Sequence, residues 1–229
     1  MRALVGISIS RAWNESEFTQ QMGTWKIPKG WEIKFGWLRQ FTACERHNVA
    51  MCQRYEFDRI LFMDTDQIYN YDYLELMLAH EEPVVSALNV ACYYPFDFCI
   101  YKYDGEEHVD GIVTPRIVAV QPPQDKNVFE CDITGTGSMM IDPKVLDKLP
   151  KPYFKDIFDP DTGGRLLPDD FYFGWQLHKA GYKVTVDQNI VVRHIAKLVV
   201  SPYNRLDLKR AWKIENEGFG HWKDGKKNT

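Results

Sequence analysis

Short apolar runs and helix-period segments alternate along the first half of the chain. Ala3-Leu-Val-Gly-Ile-Ser-Ile-Ser10 is apolar and β-branched and reads as a buried strand, and the polar segment after it ends near the Pro28-Lys-Gly30 break. From Lys34 to Tyr55, Phe35, Leu38, Phe41, Val49 and Cys52 recur at helical spacing, which predicts a helix. Arg59-Ile-Leu-Phe-Met63 reads as a second strand, Tyr73 to His80 as a helix and Pro83-Val-Val-Ser-Ala-Leu-Asn89 as a third strand. Strand, helix, strand, helix, strand in that order predicts a largely parallel sheet with right-handed crossovers, an α/β sandwich.

The second half is less regular. Alternation from Ile100 to Val120 predicts antiparallel strands or a hairpin at Asp104-Gly105. Thr134-Gly-Thr-Gly-Ser-Met-Met-Ile141 is a glycine-rich turn running into a strand, Pro143 to Leu149 a short helix, and Phe158 to Gly164 a loop of the kind that closes over a ligand. Phe171 to Ala180 reads as a helix stopped by Gly181 at C′, and Lys183 to Val192 as the last strand.

Composition narrows the class. The 229 residues are 45% hydrophobic and 26% charged, a foldable composition. They are expected to form one domain over 1–200, in two halves that meet near residue 90, with 201–229 as an extension that frays or serves as a lid. Twenty-eight Lys and Arg against 32 Asp and Glu leave a charge of −4, which argues against generic nucleic-acid binding. No apolar run approaches the roughly 20 residues of a membrane-spanning helix, and the first apolar segment lacks a signal-peptide pattern, so a cytoplasmic protein with no integral membrane segment is expected. Cys44, Cys52, Cys92, Cys99 and Cys131 form no C-x-x-C pair and read as reduced packing residues.

Three groups of residues carry candidate chemistry. Asp64-Thr65-Asp66 stands at the carboxyl end of an apolar strand, where open α/β sheets bind ligands. Such a pair either caps a turn or holds a divalent cation that grips a diphosphate through its hard oxygens. Asp169-Asp170 opens a helix, where one aspartate is expected to N-cap and the other to project as a general base. His194 ends the strand Val191-Val-Arg-His, a place from which an imidazole completes a carboxylate metal site. Phe171, Phe173 and Trp175 read as core, and Tyr93, Tyr94 and Phe96, in a loop-like stretch, as the better candidates to stack on a ligand.

Together these motifs resemble the nucleotide-sugar glycosyltransferases of the GT-A fold, especially the family-2-like group. Asp64-Thr-Asp66 is similar to that family's D-x-D, Thr134 to Ile141 to its glycine-containing strand beside the sugar pocket, Asp169-Asp170 to its acidic E-D segment, and Val191 to His194 to its closing strand and histidine. The resemblance covers roughly Leu4 to His194. It implies a Rossmann-like α/β/α sandwich with a small antiparallel part, and transfer from a nucleotide-sugar donor, with UDP as the expected nucleotide. By resemblance to inverting members, Asp66 and His194 would ligate Mn²⁺ or Mg²⁺, Asp64 would contact the ribose or a metal-bound water beside Thr65, and Asp170, next to Asp169, would take the proton from the acceptor hydroxyl. Gly135 and Gly137 either let the backbone approach the sugar or simply form a tight turn. Ser8, Ser10 and Arg11 are donor contacts by position, and either Arg46 or His47 faces the nucleotide. The acceptor is a glycan, a lipid-linked sugar, a protein or a modified nucleobase.

Two other classes fit parts of the pattern. Haloacid dehalogenase-like phosphatases also place D-x-D after an apolar strand, but on their first strand and followed by Thr or Val, where this chain has Ile68. A non-catalytic carbohydrate-binding protein on the same fold is the second, since a fold does not establish a function. The basic stretch Lys209, Arg210 and Lys213 with Trp212 reads as a solvated helix face or as a lid over diphosphate.

Overall fold

The apolar runs become the centre of an eight-stranded mixed sheet. The structure is a computed structural model describing residues 1–9, 15–38, 42–53, 55–91, 97–109 and 111–195, of which 1–195 pack as one unit. Ser10, Arg11, Tyr93, Tyr94, Phe96 and the 201–229 extension lie outside the described residues. The elements are β1 (Arg2–Ser8), α1 (Glu15–Met22), β2 (Glu32–Leu38), α2 (Thr42–Gln53), β3 (Arg59–Asp64), β4 (Gln67–Tyr69), α3 (Tyr73–Leu78) and β5 (Val84–Leu88). Then come β6 (Ile100–Val109), β7 (Ile112–Ala119), β8 (Val128–Cys131), β9 (Ile133–Thr134), β10 (Ser138–Ile141), a 3₁₀ turn (Pro143–Lys148), β11 (Ile157–Phe158), β12 (Arg165–Leu167), α4 (Asp169–Lys179) and β13 (Val184–His194).

The main sheet has the order β2-β1-β3-β10-β5-β13-β4, with β8 also on β13. β1, β2, β3, β5 and β13 run one way, while β10, β4 and β8 run against them. β3 is buried on both faces and shows how the sheet is held. Ile60 and Phe62 point to a core with Met139, Ile141, Val186 and the α4 residues Phe173 and Leu177. Leu61 and Met63 point the other way, to Val5, Ile7, Met140 and the α3 residues Tyr73, Leu74 and Met77. An interior strand covered on both faces needs an unbroken apolar run, with each large buried side chain contributing about 1.5–3 kcal/mol. A smaller sheet, β7-β6-β9, is backed by Ile133, Leu167 and Trp175.

Three expectations change. Residues 34–38 are strand, not helix: β2 runs parallel to β1 from Arg2↔Glu32 to Ser8↔Leu38. Phe35 and Leu38 mimic helical spacing, but Ile33 and Phe35 also alternate with exposed Glu32 and Lys34, and the edge of β1 takes up that alternation. The polar segment before it contains α1, anchored by fully buried Phe18. Asp104-Gly105 is a bulge inside β6, with Gly105 at φ +108°, and the chain reverses between Val109 and Ile112, where Gly111 sits at φ +79°. Both positions are Asp-Gly in sequence, because a bulge and a hairpin turn both call for a residue at positive φ. Gly181 at φ +83° ends α4 as expected, with the Tyr182 N–H closing back to the Leu177 carbonyl at 2.9 Å.

Candidate functional site

Asp64 ends β3 beside Ser8 at the end of β1, and the two are register partners. Here β2 lies on one side of β1 and β3 on the other, so the carboxyl ends open at a point where the strand order reverses. The Asp64 N–H reaches the Gly137 carbonyl at 3.0 Å and the Tyr69 hydroxyl at 2.9 Å, and that hydroxyl donates to the Gly137 carbonyl at 2.6 Å. The glycine turn is thereby pinned to the D-x-D. A Cβ on Gly137 would lie 2.6 Å from both Asp64 Oδ2 and Gln67 Nε2, so a larger residue there would displace the Asp64 carboxylate or the Gln67 amide. A Cβ on Gly135 would sit in ordinary contact, 3.6 Å from Asp170 Oδ2.

Arg46 joins the two acidic motifs. From α2 its guanidinium donates through Nη2 to Asp64 Oδ1 at 2.9 Å and through Nη1 to Asp169 Oδ2 at 3.0 Å, with the side chain only 6% exposed. Burial opposes its charge, but Asp64, Asp169 and Asp170 outweigh burial and hold it protonated. Its Nε, Ser8 Oγ and Thr136 Oγ1 are buried without a hydrogen-bond partner in the structure. His47, one residue on, turns away: its Nδ1 accepts the Tyr153 N–H at 3.0 Å and its ring lies 5.2 Å from that of Tyr153. Of the two α2 candidates, the structure brings Arg46 to the carboxylates and not His47.

Neither Asp169 nor Asp170 caps α4, contrary to the expectation. Pro168 holds the N-cap position, and both aspartates lie in the first turn. Asp169 is spent on Arg46, and Asp170 Oδ1 accepts the N–H of Phe171 at 2.9 Å. Burial, then the neighbouring Asp169, push the Asp170 carboxyl up to about 6, with Arg46 pulling the other way. Asp64 is also raised, by burial first, against the pull of Arg46.

His194 and Asp66 form the far side. Pairing of β13 with β4 sets His194 opposite Gln67, and the Ile195 N–H donates to the Asp66 carbonyl at 2.8 Å. His194 Nδ1 donates to the Val90 carbonyl at 2.6 Å, which leaves Nε2 facing Asp66 Oδ1 at 3.6 Å. Burial opposes the imidazolium, but Asp66, the Val90 carbonyl and Asp64 together raise its pKa. Among the described residues no group of three or more His, Cys, Asp and Glu side chains is spaced to hold a metal by itself. The chain offers instead a carboxylate and an imidazole whose other nitrogen is fixed by a carbonyl. Such a carboxylate–imidazole pair could supply two ligands to a divalent cation whose remaining ligands came from elsewhere.

Thr65 is fully buried, its N–H donating to the Ser8 carbonyl at 3.0 Å. Sequence reasoning did not single out Tyr69, Gln67 or Thr136. The only signal for Tyr69 was the short Gln-Ile-Tyr alternation just after the D-x-D. The free cysteines among the described residues include buried Cys131 and exposed Cys44.

No family model and no curated protein sequence matches the chain. Solved structures do. A197 from STIV superposes with a TM-score of 0.52 at 16% identity, over 86% of this chain and 87% of that one. The catalytic domain of Drosophila β1,4-galactosyltransferase 7, in complex with xylobiose, superposes with a TM-score of 0.52 at 13% identity, over 92% of this chain and 80% of that one. At these identities the likeness is one of fold: the chain has the GT-A-like α/β architecture, a mostly parallel sheet with antiparallel strands added.

Proposed function

We propose that the protein is a glycosyltransferase that moves a sugar from a nucleoside-diphosphate donor, with UDP as the nucleotide, to an acceptor hydroxyl with inversion, and that Asp170 is its base. The observation that carries this reading is the Arg46 fork, which ties the D-x-D to the acidic helix start 123 residues away from Arg46. A buried guanidinium that engages one oxygen of each carboxylate fixes the relative position of donor edge and base without using Asp170 itself.

Asp170 has the properties its role needs. At a pKa of about 6 it is ionised at neutral pH yet far more basic than an ordinary aspartate, so it accepts a hydroxyl proton as that oxygen attacks the anomeric carbon. Gly135 leaves the space next to its Oδ2 open. The Asp64 carboxylate stands at the edge where the donor nucleotide would lie, and the buried Ser8 and Thr65 beside it are joined backbone to backbone. Asp66 and His194 would hold Mn²⁺ or Mg²⁺, whose chemistry when bound is to neutralise the departing diphosphate. Asp64 Oδ1 stays on Arg46, leaving Oδ2 for the ribose or a metal-bound water. The acceptor is a glycan, a lipid-linked sugar, a protein or a modified nucleobase. Xylobiose, held by the Drosophila galactosyltransferase, is the first acceptor to try.

The test is release of nucleoside diphosphate from a panel of nucleotide sugars, with and without Mn²⁺ and xylobiose. Metal-dependent release by the wild type, at least 100-fold weaker in Asp170→Asn but with donor affinity retained, is the expected result, in line with the roughly 10²–10⁴-fold contribution of a positioned base. Near-wild-type turnover by Asp170→Asn would remove that residue from the role, and release of inorganic phosphate from monoesters would point to the phosphatase chemistry instead.

A further inference from the structure

We propose that the pocket between the β6–β7 hairpin and the start of α4 binds a sugar ring of the acceptor, so that the acceptor is an uncharged saccharide rather than a phosphate-bearing lipid or a nucleobase; this rests on the transferase reading above. The pocket has a volume of about 300 Å³. That is the low end of the range for small-molecule sites and suits a single ring.

Its walls are of two kinds. On the α4 side, Leu167, Pro168 and Phe171 are apolar, and the half-buried Phe171 ring is held edge-on by Tyr101 at 4.9 Å between centroids. On the hairpin side, Glu107, Thr114 and Arg116 are polar. One aromatic face opposed by a few convergent polar groups matches a pyranose, whose C–H face is apolar and whose rim carries hydroxyls. Glu107 and Thr114 are cross-strand partners, and the Thr114 hydroxyl lies 3.3 Å from Glu107 Oε1, so an acceptor carboxylate and a hydroxyl are presented together.

Charge selects within the saccharides. Arg116 is committed to Asp104, with Nε at 2.8 Å from its Oδ2 and Nη2 at 2.5 Å from its carbonyl. Glu107 is exposed and its carboxylate accepts from the neutral Thr114 hydroxyl, so the polar wall disfavours a phosphate or a carboxylate and accepts neutral hydroxyl donors. The pocket also shares a helical turn with the proposed base. Pro168 and Phe171 bracket Asp169 and Asp170, and the Phe171 N–H is bonded to Asp170 Oδ1. A ring seated on Phe171 would thus lie within one helical turn of the proposed base, as a neighbour of the reacting ring rather than the ring that loses the proton.

Saturation-transfer NMR on the full chain with the methyl β-glycosides of glucose, galactose, xylose and mannose tests this. At least one glycoside should bind. Phe171→Leu, which keeps the apolar bulk but removes the ring, and Glu107→Gln, at an exposed strand position, should each weaken it by about tenfold or more, the loss expected of one good contact of either kind. Binding by none of the four, or binding indifferent to both substitutions, overturns the proposal, as does glucose 6-phosphate binding more tightly than methyl glucoside. Donor turnover run in parallel separates the two readings. Nucleoside diphosphate release without glycoside binding rejects the pocket alone. Glycoside binding sensitive to both variants, with no nucleotide sugar turned over, rejects the transferase and keeps the pocket.

Discussion

Arg46 is the residue on which both acidic motifs depend. Its guanidinium is ion-paired with both Asp64 and Asp169. A buried pair adds little net stability when intact, but removing one partner strands the other charges away from water, at a cost of about 3–5 kcal/mol. Arg46→Met is therefore expected to lower the unfolding free energy by about that much in urea titrations, whereas a residue that only touched a nucleotide would leave the apo protein unchanged. Asp170 makes the opposite prediction. Its folded-state pKa of about 6 exceeds the ordinary 3.8, so the folded protein binds this proton more tightly than the unfolded chain does. Its ionisation then costs stability, a cost that grows as pH rises from about 4 to 6 and is full at neutral pH. Asp170→Asn should melt higher at pH 7.5, by about 2–4 °C for each kcal/mol relieved, with the difference vanishing toward pH 4. Transfer by the wild type should lose activity below a midpoint near pH 6, as the base protonates.

At the scale of elements, α4 is the piece that must be placed most closely, since it carries both Asp169 and Asp170. It approaches β9 through Gly174, where a Cβ would lie 2.9 Å from Ile133 Cγ2. Helix propensity favours alanine over glycine by about 1 kcal/mol, but overpacking a filled core costs about 1–3 kcal/mol, so the clash wins. Gly174→Ala is expected to destabilise the protein and to lower kcat by shifting the first turn of α4; a stabilised variant with unchanged kcat would show that the helix has room to move. The same competition between local preference and neighbours explains what was legible. β1, β3 and β5 could be read because interior strands need continuous apolar runs. β2 could not, because an edge strand is half exposed and its spacing also satisfies a helix. The bulge at Gly105 and the turn at Gly111 share one sequence signature, and only cross-strand register tells them apart.

For the whole molecule, the charge of −4 sets the terms of ligand binding. On the proposed function, a mildly acidic protein that presents Asp64, Asp66 and Asp170 at one edge would repel a free diphosphate and would reach it through a cation. A nucleotide sugar with Mn²⁺ should therefore raise the melting temperature where neither does so alone. At a hundredfold excess over Kd the stabilisation is about 2.7 kcal/mol, or about 5–11 °C for a chain of this size. Equal shifts with and without Mn²⁺ would remove the metal from the proposal.

By itself the sequence determined the α/β architecture, the carboxyl edge that carries Asp64, and the helix start that carries Asp169 and Asp170, because each is written in residues adjacent along the chain. Tertiary structure decided how these are joined: Arg46 rather than His47 turned inward, the Tyr69 hydroxyl pinning Gly137 to Asp64, and His194 set against Asp66 through the Val90 carbonyl. The Arg46–Asp169 contact alone spans 123 residues. No local periodicity encodes these contacts, and they exist only once the sheet order has brought the ends of β1, β3, β10 and β13 to one edge.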